Sequence, residues 1–485
     1  MKKFYMLWML LASFVWMGCG GGGSDDTEPA PPPTITPPTV TSTTPANGAT
    51  DIATGTVQVE VGYDKYVTLS TDASLQPVVT GGTLSGSASV SGTKLNFAVN
   101  CPNYETKVTI TIPKGLVSVT GAQANEYSFS FTTAKQPAAP VITSSLVAGS
   151  TDQVKTLYAY FIEQYGQKTI SSVMADVNWN HKIADKVHTL TGKYPAMNCY
   201  DFIHIYVPEN NWINYNDVTP VTEWAAAGGI VQLMWHFNVP VNETTTPGTD
   251  GSGVTCSPSE TTFKASNALV DGTWENKWFY QEMDKVIAVI LKLQDAGIAA
   301  TWRPFHEAAG NATAKSQASW TKSWFWWGYD GSDTFKKLWV AMFDYFKQKG
   351  VKNLIWIWTT QNYNGNSATY NLDSDWYPGD NYVDMVARDL YGYKASSNNT
   401  EFTEIQSKYP TKMVVLGECG WGNNKTPEQG KISDCWTAGA KWGYFMVWYD
   451  GSAGNSTGTM CTDAWWKDAM QSSNVITRNQ LPNLK

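Results

Sequence analysis

Two glutamates carry the chemistry to be expected of this chain. Glu307 ends the stretch Trp302-Arg303-Pro304-Phe305-His306-Glu307, and Glu418 follows Gly417 at the end of Met413-Val414-Val415-Leu416. Both stretches read as buried strands. Arg303, His306 and Glu307 sit together where an interior strand should stay apolar. Burying ionisable groups side by side is costly unless they pair or react. A structural Arg–Glu pair in a core is the bland explanation. The reactive one is a carboxyl pair in which one member, held protonated, donates to a leaving oxygen while the other attacks a carbon. That division of labour suits a glycosidic bond, and a carboxyl separation of about 5 Å goes with retention of configuration. Glu307, beside apolar and aromatic residues, is the better candidate for a raised pKa, and Tyr391 is a candidate hydrogen-bond partner for Glu418. The residues alone also allow the opposite assignment. The run Trp324-Phe325-Trp326-Trp327-Gly328 favours the reactive explanation, because so much Trp beside a carboxylate suits stacking on a flat, polar sugar ring.

Such residues need a rigid frame. Apolar strand candidates recur at 170–175, 195–201, 230–237, 299–306, 353–359, 383–391, 412–419 and 442–449, with helical stretches between them. The clearest helix spans 274–296, with Trp274, Trp278, Met283, Val286, Ile290 and Leu293 on one face and Gly297 as its stop. A second runs over 333–349 and stops at Gly350. Strands alternating with helices in this number predict an α/β fold, a (β/α)8 TIM barrel. An open doubly wound sheet is the alternative, but no Gly-rich phosphate loop follows an early strand. A barrel places its chemistry at the C-terminal strand ends. Those ends carry Asp201, Trp235-His236, His306-Glu307, Trp358, Asp389 with Tyr391, Glu418, and Trp448 with Tyr449-Asp450. They hold no metal-like cluster, and no Gly-x-Ser-x-Gly elbow is present, so neither a metal, another cofactor nor Ser hydrolysis is expected.

The 485 residues predict more than one domain. A net charge of −8 argues against nucleic acid and anionic membranes as partners. Only 16% of the residues are charged, while 23 are Trp and 24 are Tyr, a balance suited to a neutral ligand rich in hydroxyls. Residues 38–134 show period-two alternation in short runs such as Lys107-Val108-Thr109-Ile110-Thr111-Ile112, which predicts a small β-sandwich. We read it as a spacer; its one aromatic cluster, Tyr63 and Tyr66, fits core or edge as well as a ligand site. Residues 135–149 form the linker to a catalytic domain over 150–485. Upstream, residues 1–19 have a charged start, an apolar run from Phe4 to Met17, and Gly18-Cys19. This resembles a bacterial lipoprotein signal with Cys19 lipidated, and the Gly- and Pro-rich tether 20–37 resembles those that hold lipoproteins on the outer cell surface. An exported outer-membrane lipoprotein facing the cell surface is therefore expected, monomeric and touching the membrane only through its N-terminal lipid. For the six remaining cysteines, buried thiols and disulfides both stay open.

The motifs around Glu307 and Trp324–Gly328 resemble the signature of glycoside hydrolase family 26. The agreement spans roughly 150–475 and continues in Trp235-His236-Phe237-Asn238, Asp389-Leu390-Tyr391, Leu416-Gly417-Glu418 and Val447-Trp448-Tyr449. Residues 38–134, with Ser42-Thr43-Thr44-Pro45-Ala46-Asn47-Gly48-Ala49 and Phe129-Ser130-Phe131-Thr132-Thr133, resemble bacterial immunoglobulin-like domains. The family resemblance implies a retaining endo-β-1,4-mannanase acting on mannan, galactomannan or glucomannan. It implies Glu307 as acid/base on strand four and Glu418 as nucleophile on strand seven. Tyr391 would orient the nucleophile, and with His236, Arg303, His306, Trp324, Asp389 and Trp448 it would make up the substrate-binding set. Two departures stand out. A polar segment, Asn311 to Ser323 with Trp320 inside it, separates the motifs, which puts the register of Trp324 in question, and the first strand ends Ser171-Ser172-Val173-Met174-Ala175-Asp176 without a Gly-Gln pair. The long loop 241–273 belongs to the same mouth and reads as binding rather than folding sequence. A mixed-linkage β-glucanase or β-1,3-xylanase is the same-chemistry alternative, and a non-catalytic surface glycan-binding protein the alternative of another class.

Overall fold

A computed structural model describes residues 35–135, 142, 145–176, 178–310, 323–361, 373–421, 429–451 and 458–484. The signal segment, Cys19, most of the tether, much of the 135–149 linker and Trp320 lie outside the described residues. The chain divides into two compact units, one ending at Ala134, the other formed by residues 102–105 and the chain from Lys135 onward.

The first unit is all β. A four-stranded antiparallel sheet orders Val40–Thr44, Gly55–Tyr63, Lys94–Cys101 and Thr83–Ser91. A three-stranded sheet orders Tyr127–Thr132, Lys107–Ile112 and Val78–Thr80. Alternation sends Leu95, Phe97 and Val99 from the first sheet, and Val108, Ile110 and Phe129 from the second, into one core. Tyr63 belongs to that core, whereas Tyr66 stands in solvent.

The second unit is built on eight parallel strands: β1 (Thr169–Met174), β2 (Met197–Asp201), β3 (Ile230–Trp235), β4 (Ala300–Pro304), β5 (Leu354–Thr360), β6 (Met385–Tyr391), β7 (Met413–Gly420) and β8 (Tyr444–Val447). Each pairs with the next, and β8 and β2 both pair with β1, so the sheet closes into the expected barrel. Every residue of β1 to β5 is buried, as a sheet covered on both faces requires. The helices are α1 (Asp152–Gln164), α2 (Lys182–Thr191), α3 (Thr219–Ala226), α4 (Trp274–Asp295), α5 (Trp326–Tyr329), α6 (Ser332–Gln348), α7 (Ala395–Lys408), α8 (Ile432–Thr437) and α9 (Asp463–Gln471). Gly297 and Gly350, the expected stops of α4 and α6, have φ of 70° and 87°, a conformation that costs Gly little. Alternation is incomplete between β5 and β6, where the described residues form only two 3-10 turns, Asp373–Trp376 and Asp380–Tyr382.

Helix α1 precedes the barrel and serves its lower mouth. Thr151 caps it by accepting from the Val154 amide, and Val154, Leu157, Tyr158 and Phe161 form one buried face. Ahead of it, the Ser150 amide donates to the Lys352 carbonyl before β5. The Val414 amide of β7 donates to the Tyr165 hydroxyl (3.1 Å), and Phe161 meets Tyr444 of β8. The opposite mouth is left to the βα loops.

The loop after β3 is not loose. Val239–Pro240 pairs with Val254–Thr255, and Phe263 packs edge-on against Trp326 at 4.7 Å. Gly328 holds the next loop close: a Cβ there would lie 1.5 Å from the Ala308 carbonyl oxygen. Gly328→Ala must therefore displace backbone, and we expect it to destabilise the barrel by about 3 kcal/mol, the upper end for overpacking. An unchanged urea midpoint would contradict this packing.

Candidate active site

The backbone reverses hand at the end of β4. Phe305 and Glu307 have φ of 47° and 49°, left-handed values that cost a non-Gly residue about 1–3 kcal/mol each. Packing over-determines them. The Phe305 ring stacks on Phe237 (6.2 Å) and Phe279 (6.3 Å) and meets Trp326 (6.1 Å) and Trp327 (5.9 Å). Trp327 Nε1 donates to the His306 carbonyl at 2.9 Å, and Trp326 Nε1 to that of Phe237 at 2.6 Å. This corrects the expectation that the whole aromatic run stacks on a sugar. Trp326 and Trp327 are fully buried, because their ring faces and N–H groups are spent on holding Glu307's backbone. Trp358 likewise faces away, against Tyr377 and Tyr409.

Glu418 is set by a bulge. Arg388 pairs with Leu416 but Asp389 pairs with Glu418, so Gly417 is the extra residue on β7. Only Gly fits, since a Cβ would lie 2.5 Å from Asp389 Oδ1. Both Glu418 oxygens act as acceptors. Arg303 Nη2 donates to Oε1, and the Tyr391 hydroxyl donates to Oε2 at 2.6 Å. Arg303 Nη1 reaches Asp389 Oδ2 (2.9 Å) and Thr359 Oγ1 (3.2 Å). One wholly buried guanidinium thus serves two carboxylates. Burial pushes Asp389 up to about 7; Arg303 opposes that rise and the charge of Glu418 adds to it.

Glu307 shares this field. Burial raises its pKa well above the ordinary glutamate value, and the neighbouring charges of Asp389 and Glu418 raise it further. No hydrogen bond from a described residue reaches its carboxyl. The site therefore presents a carboxyl biased toward its protonated form and a carboxylate whose two oxygens are both engaged by donors. Such a contrast suits an acid and a nucleophile at a glycosidic bond.

Two imidazoles line the same place. His236 Nδ1 contacts Asp201 Oδ2 at 2.5 Å, and the His236 amide donates to Asp201 Oδ1 at 2.9 Å. Its Nε2 lies 3.1 Å from His306 Nε2, which in turn lies 4.0 Å from Glu418 Oε1. Burial works to lower the His236 pKa, but the charge and hydrogen bond of Asp201 outweigh it and raise it. Burial and His236 hold His306 well below the usual histidine range, so His306 is neutral. Trp448 packs on His236 at 5.7 Å. The ring that packs on both imidazoles is Phe325 (5.6 and 5.2 Å), whereas Trp324 is 42% exposed. Arg303, Asp389, Tyr391 and Glu418 are thus joined directly, while His306 stands 4.0 Å from Glu418 and is joined to His236, on which Trp448 packs.

The sequence names Asp201 only as a strand-end residue and Phe325 only as part of the aromatic run, and it gives Thr359 no role. Asp201 stood at a strand end, a signal that could have found it. Its partner His236 lies 35 residues away, at the end of the neighbouring strand. The described residues contain no group of three or more His, Cys, Asp or Glu side chains able to hold a metal, and Cys101, Cys199, Cys256, Cys419, Cys435 and Cys461 are free thiols.

Comparison with known proteins agrees with this geometry. The model of glycosyl hydrolase family 26 matches residues 147–471, and that of a bacterial Ig-like domain matches 34–133. The family domain of the Prevotella bryantii endo-β-mannanase/endo-β-glucanase, a solved structure, is 56% identical with a TM-score of 0.64, over 71% of this chain and 99% of that one. A β-mannanase from a symbiotic protist of the termite Reticulitermes speratus, solved with gluco-manno-oligosaccharide, is 32% identical over 70% and 98% of the two chains, with a TM-score of 0.55. Among curated proteins, a mannan endo-1,4-β-mannosidase of Thermothelomyces thermophilus is 29% identical over 61% of this chain and 55% of its own length. The chain spans about half the length of the curated relatives it matches. With a matching family model over most of its length and a closed parallel barrel to carry it, the chain belongs to glycosyl hydrolase family 26.

Proposed function

We propose that this protein is an endo-acting β-1,4-mannanase that cleaves mannan, galactomannan or glucomannan with retention of configuration. The observation that carries the chemistry is the contrast between the two glutamates: Glu307 is driven to hold a proton, while Glu418 accepts from Arg303 and Tyr391. The substrate rests on the relatives, which are mannan endo-1,4-β-mannosidases and a β-mannanase holding a gluco-manno-oligosaccharide.

In the first step a Glu418 oxygen attacks the anomeric carbon. The bond to the leaving oxygen breaks, and the Glu307 proton passes to that oxygen. Glu418 is now an ester and Glu307 a carboxylate. Arg303 still faces the charge of Asp389. In the second step Glu307 takes a proton from water, the hydroxide adds at the anomeric carbon, and Glu418 departs as carboxylate. Tyr391 keeps the attacking carboxylate in one orientation throughout.

Product analysis on unbranched mannan, galactomannan, mixed-linkage β-glucan and β-1,3-xylan tests this reading. Mixed manno-oligosaccharides support it. Disaccharide alone makes the enzyme exo-acting, and activity confined to glucan or xylan moves the substrate. Tight binding without any cleavage leaves a glycan-capture protein and sinks the enzymatic proposal.

We propose also that Cys19 is lipidated and tethers the protein to the outer membrane, facing the cell surface, with the Ig-like unit as spacer; the Gly-Cys junction after an apolar run supports this. Labelled palmitate should enter the full chain and not its Cys19→Ser variant. Equal labelling, or none in either, would refute the anchor.

A further inference from the structure

Among the described residues, the large hydrophobic side chains that the barrel unit exposes are Trp212, Val241, Val270, Trp324 and Tyr329. All of them lie in the segments that follow β2, β3 and β4, Tyr329 at the end of the short helix α5. Singly exposed hydrophobics are ordinary, but these all follow strand C-terminal ends, the end of a barrel at which ligands bind.

Trp212 is 44% exposed, and its ring contact is with His204, outside the catalytic set. It is nonetheless firmly built. Asn210 Oδ1 accepts from the amides of Trp212 (2.9 Å) and Ile213 (3.1 Å), and the Asn210 amide donates to the Ile213 carbonyl. The Asn211 amide donates to the Thr249 carbonyl, which joins this loop to the one after β3. His204 backs the indole at 4.8 Å, and a Cβ on Gly251 would lie 2.9 Å from Trp212 Cη2. The His204 ring is tilted only 32° from the indole and so backs one of its faces, while 44% of the Trp212 surface stays open, as a stacking platform requires.

The platform is tied to the reacting groups by a short chain of contacts. The Tyr215 hydroxyl accepts from the His204 amide and donates to the Asp201 carbonyl, each at 3.1 Å. Asp201 in turn grips His236. Trp212 and the site thus share one rigid frame on one face of the barrel.

We infer that Trp212 is a distal sugar-binding platform, on which a mannosyl residue of the same β-mannan chain stacks several units from the bond being cleaved. This rests on the mannanase reading and deepens it, by making the enzyme prefer long chains and cut them internally. An indole offers its face to the C–H face of a pyranose, and such a contact made equally in ground and transition state changes KM rather than kcat.

The test compares wild type with Trp212→Ala and Trp212→Phe in the full chain, on mannohexaose and mannan against a two-unit aryl mannoside. For Trp212→Ala we expect a roughly tenfold loss of kcat/KM on the long substrates, equivalent to about 1.4 kcal/mol. That loss should lie in KM, with less than about twofold change on the short one. Trp212→Phe should recover most of it, and both variants should melt as the wild type does. Equal effects on short and long substrates, or no effect on either, overturn the platform while leaving the mannanase standing. A wild type inactive on every mannan overturns both.

Discussion

Glu307→Gln is expected to lower kcat/KM on mannan by about 10²–10⁴-fold, the range for losing a general acid. The substitution preserves size and removes only the transferable proton. The loss should depend on the leaving group: a nitrophenyl mannoside, whose leaving oxygen needs no proton, should still glycosylate Glu418, so that the second, base-dependent step becomes limiting and an initial burst appears. The pH profile supplies a second test. Glu307 must be protonated to act, and its pKa is raised by burial and by the charges of Asp389 and Glu418. Activity is therefore present below that raised pKa, persists above the usual carboxylate range, and falls as pH climbs through it. The Gln variant should lack this alkaline fall. An equal loss on good and poor leaving groups, or an unchanged alkaline limb, would remove Glu307 from the acid's role.

Arg303→Met should be the most destabilising single change at the site, by about 3–5 kcal/mol, as expected when one partner of a buried ion pair is removed. Met roughly matches the length of the arginine stem but leaves Asp389 and Glu418 side by side in a buried site with no cation between them. Urea unfolding reads the cost. Adding Asp389→Asn should return part of the stability without returning activity, because it relieves the repulsion and leaves Glu418 without its guanidinium. The pH dependence has a definite sign. Asp389 titrates near 7 in the folded protein and near 4 when unfolded, so the folded state binds the extra proton. Its contribution is full below about 4 and is lost as pH rises toward 7. Without Arg303 the folded-state pKa of Asp389 rises further, so the decline should extend to higher pH. A variant as stable as wild type at pH 8 would show that the guanidinium does not bridge the two carboxylates.

Much of this site was readable in the chain. Glu307 and Glu418 each close an apolar run, Tyr391 sits at a strand end within reach of Glu418, and Gly297 and Gly350 mark helix stops that the fold uses. What was not readable depends on partners distant in sequence. A Trp beside a carboxylate looks the same whether its face meets a sugar or its own backbone; only the fold shows Trp326 and Trp327 bonded to the carbonyls of Phe237 and His306. Phe325 takes the place over the imidazoles through a one-residue register that the inserted polar segment obscured. Gly417 reads as a strand residue until the bulge against Asp389 is seen. Helix α1 carries an ordinary amphipathic pattern, and its use at the lower mouth depends on the starts of β5, β7 and β8.

The most direct measurement is covalent trapping. The protein is incubated with a 2-deoxy-2-fluoro-mannosyl donor that carries a good leaving group, digested, and its peptides weighed. The fluorine slows the second step more than the leaving group slows the first, so the ester persists. A single mannosyl label on Glu418, absent from Glu418→Ala, is the predicted result. A label on Glu307 or elsewhere, or an enzyme that turns over mannan yet never takes the label, would contradict the double displacement through Glu418.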